Sequence, residues 1–470
     1  MNVLLIGRAF GMIGDSRSFL DCNGAHAIRT LAPRGDPADY HFAPGQSALE
    51  IIDMIACDWR PDLVLNWLPE LCPPPLGIED IPYRTAAVIS DWNLYAPAFH
   101  HNLARYDVIV CDKPGSLQYR PWGATPRYHA PLYGYHPRDH RNLGIPRDID
   151  VLFIGNLNPA IHQKRARLLE ALRALGGPYR VEILSGLWGD AYAQALNRAR
   201  IVFNHSIRGE MNLRAFEAPA CGALLLQETE NLEIREYLAT GREVVLYTDD
   251  TLRDTVTHLL DHEAERATIA QAGHERMLQL APAPRFDALA ACIMSLAPQP
   301  RRFFDLPDAL RAAASLMQQG ASANAGQRQA AQRRAAVLAA AHEESPEVLA
   351  AAAGVTFNAA QESGAITQDD LGQVLAWLKQ ALAHAPDSAP LWHNLANMCA
   401  IGGRPDIADR CFRRVLEAGD LTAAPMLFGN YQDPRFIHWL GALARDEARA
   451  DLVHAIAQAR VSGLEAGEGG

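Results

Sequence analysis

The sequence predicts an α/β protein with two doubly wound, Rossmann-like units followed by an all-α domain of helical repeats. Three observations lead there. Short apolar runs bounded by glycine, proline or aspartate recur from Val3 to Leu246, as buried parallel strands do. Phe203 to Gln227 reads as a strand end, a polar loop with Gly209, a helix opening near Asn212 and a further strand after Gly222. Beyond Arg302 strand signals stop, and alanine, glutamine and leucine recur at helical spacing.

Length and composition bound the reading. A chain of 470 residues is too long for one core, and about three domains are expected. The apolar share of 49% with 21% charged residues is that of a soluble globular protein. A net charge of −11 argues against a broad surface for nucleic acid or anionic membrane. The eight cysteines include no CxxC pair, which fits reduced thiols in a cytoplasmic protein better than a disulfide frame. Nowhere do 18 apolar residues run together, and the start Met1-Asn-Val-Leu-Leu-Ile-Gly7-Arg8 has no export-signal pattern, so neither a membrane span nor export is expected.

In the first unit, set at residues 1–140, Val3–Ile6, Asp62–Asn66, Thr85–Ser90 and Asp107–Cys111 are the strand candidates. Gly7, Gly11 and Gly14 follow the first strand without forming GxGxxG, so the dinucleotide fingerprint is absent. They form either a plain strand-to-helix loop or a loop facing an acceptor. Asp91, in Ser90-Asp91-Trp92-Asn93, stands at a strand end, where catalytic groups of open sheets collect. It either takes a proton from an acceptor hydroxyl or caps the next helix. His100-His101 and the pair His136, His140 are closely spaced, but no third ligand accompanies either pair, and no metal site is expected.

Pro114 to Arg147 is rich in proline, glycine, tyrosine and histidine and lacks periodicity, which suggests a crossing segment with the hinge near Pro137–Pro146. The second unit is set at residues 141–300. Its Asp148-Ile-Asp150 is formally DxD, but it precedes the strand Val151–Ile154 and reads as a strand entry. Gly155 and Asn156 follow that strand, and the next helix carries Lys164, Arg165 and Arg167. A glycine turn admits a diphosphate to the backbone, and cations on the following helix neutralise its charge. The alternative is a solvated basic helix face. Arg180–Leu184, Ile201–Asn204, Ala223–Leu226 and Glu243–Leu246 continue the strands, and Leu252–Leu260, Ala264–Leu278 and Phe286–Leu296 read as helices.

The helix opening at Asn212 would turn its free N–H groups toward the crevice at the strand ends, where phosphate is the natural guest. Glu217 lies on its second turn, placed to accept hydrogen bonds from a ribose diol. Otherwise Arg214 and Glu217 form an i, i+3 surface pair.

Arg214-Ala-Phe-Glu217-Ala-Pro-Ala-Cys-Gly222-Ala-Leu-Leu-Leu resembles the signature of GT-B glycosyltransferases of the CgeB (spore-maturation-like) type, relatives of the retaining glycogen and sucrose synthases. The resemblance spans roughly Met1 to Leu296. It implies a donor nucleotide sugar whose ribose is held by Glu217, with Arg165 meeting the diphosphate and the first unit receiving the acceptor. It implies no cofactor beyond the donor substrate, and because the DxD at Asp148-Ile-Asp150 stands at the wrong end of its strand no metal requirement is expected. The larger family carries a second glutamate eight positions before the first; here that position is Gly209, with Glu210 adjacent.

After the linker Ala297-Pro-Gln-Pro-Arg-Arg302, the domain at 306–470 contains Trp392-x2-Leu395-Ala396-x2-Cys399 and Ala408-x3-Phe412. This is similar to the tetratricopeptide pattern, with Cys399 for the usual tyrosine. Val374, Leu378 and Ala381 stand 34 residues before Ala408, Phe412 and Val415, which is that repeat's period. A plain helical bundle is the alternative. Such arrays commonly hold an extended peptide or build homo-oligomers, so a protein or peptide acceptor is expected. The two functional classes are therefore a glycosyltransferase and a scaffold whose transferase unit has lost catalysis.

Overall fold

The computed structural model describes residues 1–7, 25–35, 38–43, 45–69, 72–90, 100–118, 127–130, 134–157, 162–206, 209–280, 282–298, 301–320, 325–363 and 367–417. It contains two parallel sheets and a helical region. The first sheet is built from β1 (Asn2–Ile6), β2 (Ala27–Pro33), β3 (Tyr40–Phe42), β4 (Leu63–Trp67), β5 (Arg84–Ile89), β6 (Val108–Cys111) and β7 (Arg127–His129), in the order β3-β2-β1-β4-β5-β6-β7. The second comprises β8 (Ile149–Ile154), β9 (Val181–Leu184), β10 (Ala199–Phe203), β11 (Leu224–Glu228) and β12 (Val245–Tyr247), in the order β12-β11-β10-β8-β9. Both orders reverse direction beside the first strand of the unit, at β1/β4 and at β8/β10. Such reversals open crevices at the carboxyl ends of the strands.

The strands form because both their faces are buried. In β1, Leu4 and Ile6 enter one core while Val3 and Leu5 enter the core on the other face. In β8, Leu152 and Ile154 face one core, and Val151 and Phe153 the other. Helix Pro282–Ser295, the last of the second unit in sequence, packs Phe286, Leu289, Ala290 and Ile293 against Val3, Leu5 and Leu65 of the first sheet. It ties the end of the α/β portion back to its beginning.

One expectation needs correction. The aperiodic stretch after Pro114 contains β7, which pairs Ile109 to Arg127 and Cys111 to His129. Arg-Tyr-His has no apolar run to reveal it, because this edge strand adds only Tyr128 to the apolar core and otherwise pairs through its backbone. The linker is anchored to the first unit. Arg301 donates to the carbonyls of Glu79, Ile81 and Tyr83 and to both oxygens of Asp107.

The helical region contains Asp308–Gly320, Ala325–Ala341, Pro346–Glu362, Gln368–His384, Ala389–Ile401 and Pro405–Glu417. Val374, Leu378, Ala381, Ala408 and Val415 all lie in its core, as either a repeat array or a bundle requires. Its first helix is docked on the first unit: Asn102 Nδ2 donates to Ala314 O (3.0 Å), Arg105 to Ser315 Oγ (2.7 Å) and Gln318 to Pro74 O (3.2 Å). No described helix is long and apolar enough to cross a membrane.

Candidate donor site

The site is built at the β8/β10 crevice. Arg165, in the first turn of helix Gln163–Arg173, turns inward and is 6% exposed. Its Nε and Nη2 donate to His205 O at 3.2 and 2.7 Å, and its Nη1 to Asn156 O at 3.2 Å. The alternative of a solvated basic face therefore fails for Arg165, while Lys164 does face outward and pairs with Asp249 at 2.9 Å. Burial, reinforced by the neighbouring Arg214, lowers the Arg165 guanidinium to about 9.

Asn212 caps helix Leu213–Ala220, its Oδ1 accepting from Ala215 N. The cap is itself fixed, because the amides of Asn204 and Asn212 bond each other at 3.0 and 3.1 Å. Arg214 donates to Asn204 Oδ1 at 2.6 Å and to the carbonyl of Ile154. Its guanidinium lies 4.5 Å from the ring centre of Phe153, and that of Arg165 lies 5.4 Å from the same ring. Gly155 is glycine for this reason: a Cβ there would meet Arg214 Nη2 at 2.3 Å. What approaches Gly155 is the cation, where the sequence suggested the phosphate itself.

Histidines add no positive charge. Burial first, then Arg165, lowers His205 to about 4 and His162 to about 2, so at neutral pH the cations are the two arginines.

Glu217 is 5% exposed and does not form the surface pair with Arg214 that its spacing allowed. Its Oε2 accepts from Tyr192 Oη at 2.6 Å, and its Oε1 faces His140 Nε2 at 3.6 Å. Burial, and then the Glu217 charge, push the Tyr192 hydroxyl well above the usual phenol range, so it stays a donor. Trp188 lies one helical turn before Tyr192, whose N–H meets Trp188 O at 3.4 Å, and it is 51% exposed.

Gly209 adopts φ +85°, and a Cβ there would meet Glu230 O at 2.8 Å. A glutamate at this position would be strained on both counts. Glu210 is held through its backbone, with Asn231 Nδ2 donating to its carbonyl at 2.8 Å, and its charge acts on Arg165 and Glu228. Glu228 closes the crevice floor: its Oε1 accepts from Ser206 N (3.1 Å), Ser206 Oγ and Asn231 Nδ2 (3.3 Å). Burial pushes its carboxyl up to about 7 against those hydrogen bonds.

Gly155, Asn156, Arg165, Glu210, Asn212, Arg214 and Glu217 are thus gathered around one sheet edge. Asp91 lies outside the described residues. Tyr192 and Glu228 were missed in the sequence, and His140 was weighed as a metal ligand or a surface or hydrogen-bonded residue, not as a partner of Glu217. Nothing local marks Tyr192, whereas Glu228, an acid ending an apolar strand, was a readable signal. His136 and His140 share one turn, closed by His140 N to His136 O at 2.8 Å. Asp148 and Asp150 lie at the opposite end of β8, bonded to Arg180, Arg198 and Arg200, as a strand entry should be. Among the described residues no three acidic, histidine or cysteine side chains are grouped to hold a metal.

Residues 162–290 match the family model described as glycosyl transferase-like. The matched segment contains Arg165, Glu210, Asn212, Arg214, Glu217 and Glu228. The chain is also similar to HepE of Anabaena, solved with UDP, at 14% identity over 63% of this chain and 100% of that one (TM-score 0.45). A sucrose-phosphate synthase from Thermosynechococcus elongatus is similar at 12% identity over 63% of this chain and 99% of that one (TM-score 0.43). No curated protein matches the chain. The two parallel sheets and the helical region after them have the α/β plus all-α layout that the sequence predicts.

Proposed function

We propose that the protein moves a sugar from a nucleotide-sugar donor, bound at the β8/β10 crevice, to an acceptor received by the first unit. One observation carries the reading. Arg165 and Arg214 are two inward-turned cations at a strand-end crevice, and the hydrogen bonds described above go to carbonyl and amide oxygens, not to carboxylates. Carboxylates act on this pair through space, Glu210 and Glu228 on Arg165 and Glu217 and Glu228 on Arg214, whereas a diphosphate bridging the two guanidiniums would bond them directly while leaving Glu217 for the ribose. The UDP in the HepE structure is a ligand of that chemistry.

In this mechanism Arg165, Arg214 and the N-terminus of helix Leu213–Ala220 stabilise the leaving diphosphate as the glycosidic bond breaks. No divalent metal is required, and activity should persist in EDTA. The CgeB-type assignment, retention of configuration and the tetratricopeptide character of the helices belong to the same proposal, as does a protein or peptide acceptor on the helical region. Calorimetric titration with UDP- and GDP-sugars and free UDP tests it. Absence of binding by every donor and nucleotide would support the alternative of an inactive scaffold, which Gly209 keeps in view.

A further inference from the structure

Three successive residues after β11 hold three successive residues of the loop before helix Leu213–Ala220. Leu232 N donates to Gly209 O at 2.8 Å, Asn231 Nδ2 to Glu210 O at 2.8 Å, and Glu233 Oε2 accepts from Met211 N at 2.8 Å. Of these only Glu233 has a second oxygen to offer, and it faces the other unit. Its Oε1 lies 3.7 Å from Nε2 of His129, at the end of β7 on the edge of the first sheet. His129 Nε2 is also 3.5 Å from Glu236, and Lys113 of the first unit pairs with Glu236 in turn.

We propose that Glu233 is a positioning residue that couples the placement of the first unit to the loop Gly209–Asn212. The two oxygens divide the task. Oε2 fixes Met211, one residue before the Asn212 cap and three before Arg214, while Oε1 reports whether His129 is in place. Glu233 is 3% exposed as a side chain, and burial raises its carboxyl pKa despite the Met211 and Lys113 N–H groups and His129. A carboxylate desolvated this far depends on its few partners, so losing His129 weakens its hold on its charged form and on Met211. Approach of the acceptor-receiving unit would thereby set the loop that leads into the helix bearing Arg214.

The coupling itself does not rest on the proposed activity; only its consequence for turnover does. Amide hydrogen exchange in the whole chain reads it directly. His129→Leu should speed exchange of the Met211 and Asn212 amides about fivefold while β10 and β11 exchange as in the parent. Lys113→Met, which removes only the partner of Glu236, should leave those amides within twofold. In a Glu233→Gln background, His129→Leu should add nothing. Parent-like exchange in His129→Leu overturns the proposal, as does an equal rise in Lys113→Met or a rise spread over both strands. In donor hydrolysis His129→Leu should lower kcat while KM stays within twofold. A parent without turnover would count against the transferase reading and leave the exchange result standing.

Discussion

Tyr192 donates a 2.6 Å hydrogen bond to Oε2 of Glu217 across two helices, so the carboxylate is aimed before any ligand arrives. Tyr192 belongs to helix Gly189–Arg198 and Glu217 to helix Leu213–Ala220, and the bond fixes the one against the other. Hydrogen bonds to a charged group contribute about 1.5–3 kcal/mol. Tyr192→Phe should weaken nucleotide-sugar binding about tenfold without unfolding the protein, and Glu217→Gln by at least as much. Calorimetry on the two variants checks this, and parent-like affinity in both would remove Glu217 from the site.

Arg165→Ala should weaken a nucleoside diphosphate more than the bare nucleoside. Because its removal also strands the His205 and Asn156 carbonyls, Arg165→Lys is the companion variant. It keeps the charge but cannot bond His205 O twice. Equal losses for diphosphate and nucleoside in both variants would refute the phosphate role.

Arg301 meets both oxygens of Asp107 at 2.8 Å. Removing one partner of a largely buried pair costs about 3–5 kcal/mol. Arg301→Ala should therefore lower the unfolding free energy of the first unit, read from urea denaturation, by an amount of that order, and a denaturation curve equal to the parent's would show the anchor to be dispensable.

Removing residues 306–470 takes away the partners that Ala314, Ser315 and Gln318 offer to Asn102, Arg105 and Pro74, along with the rest of the helical region. Such a chain should melt below the parent, whereas the nucleotide dissociation constant stays within about threefold, under 1 kcal/mol. Transfer to a protein acceptor should drop sharply. Normal transfer with a change from oligomer to monomer in sedimentation would assign the helices to assembly instead.

Glu228 carries its folded-state carboxyl at about 7 against an ordinary 4.5. A raised acid favours the fold below the ordinary value, and that contribution is lost as pH rises through 7. His205 and His162, held neutral, run in the opposite sense, their contribution being lost on acidification. The difference between parent and Glu228→Gln isolates the carboxylate. From pH 5 to 8 the parent should lose stability relative to the variant, on the order of 2 kcal/mol. Parallel denaturation curves at the two pH values would contradict it.

The sequence by itself determined the elements whose signal is local. Short apolar runs of four to six residues between glycine, proline or aspartate suit strands buried on both faces, and β1, β4, β5, β6 and β8 lie within a residue or two of where their residues predict them. Asn212 and Gly222 bound a helix by capping chemistry that acts over four residues. Tertiary structure decided what depends on chain segments far apart. β7 exists because β6 offers it backbone partners. Arg301 is an anchor because four residues of the first unit offer it oxygens. The residues that aim Glu217 come from a helix 25 positions away and a turn farther still. Hydrogen bonds between distant segments leave no period in the sequence, and burial of a polar group is known only once the surrounding chain has closed over it.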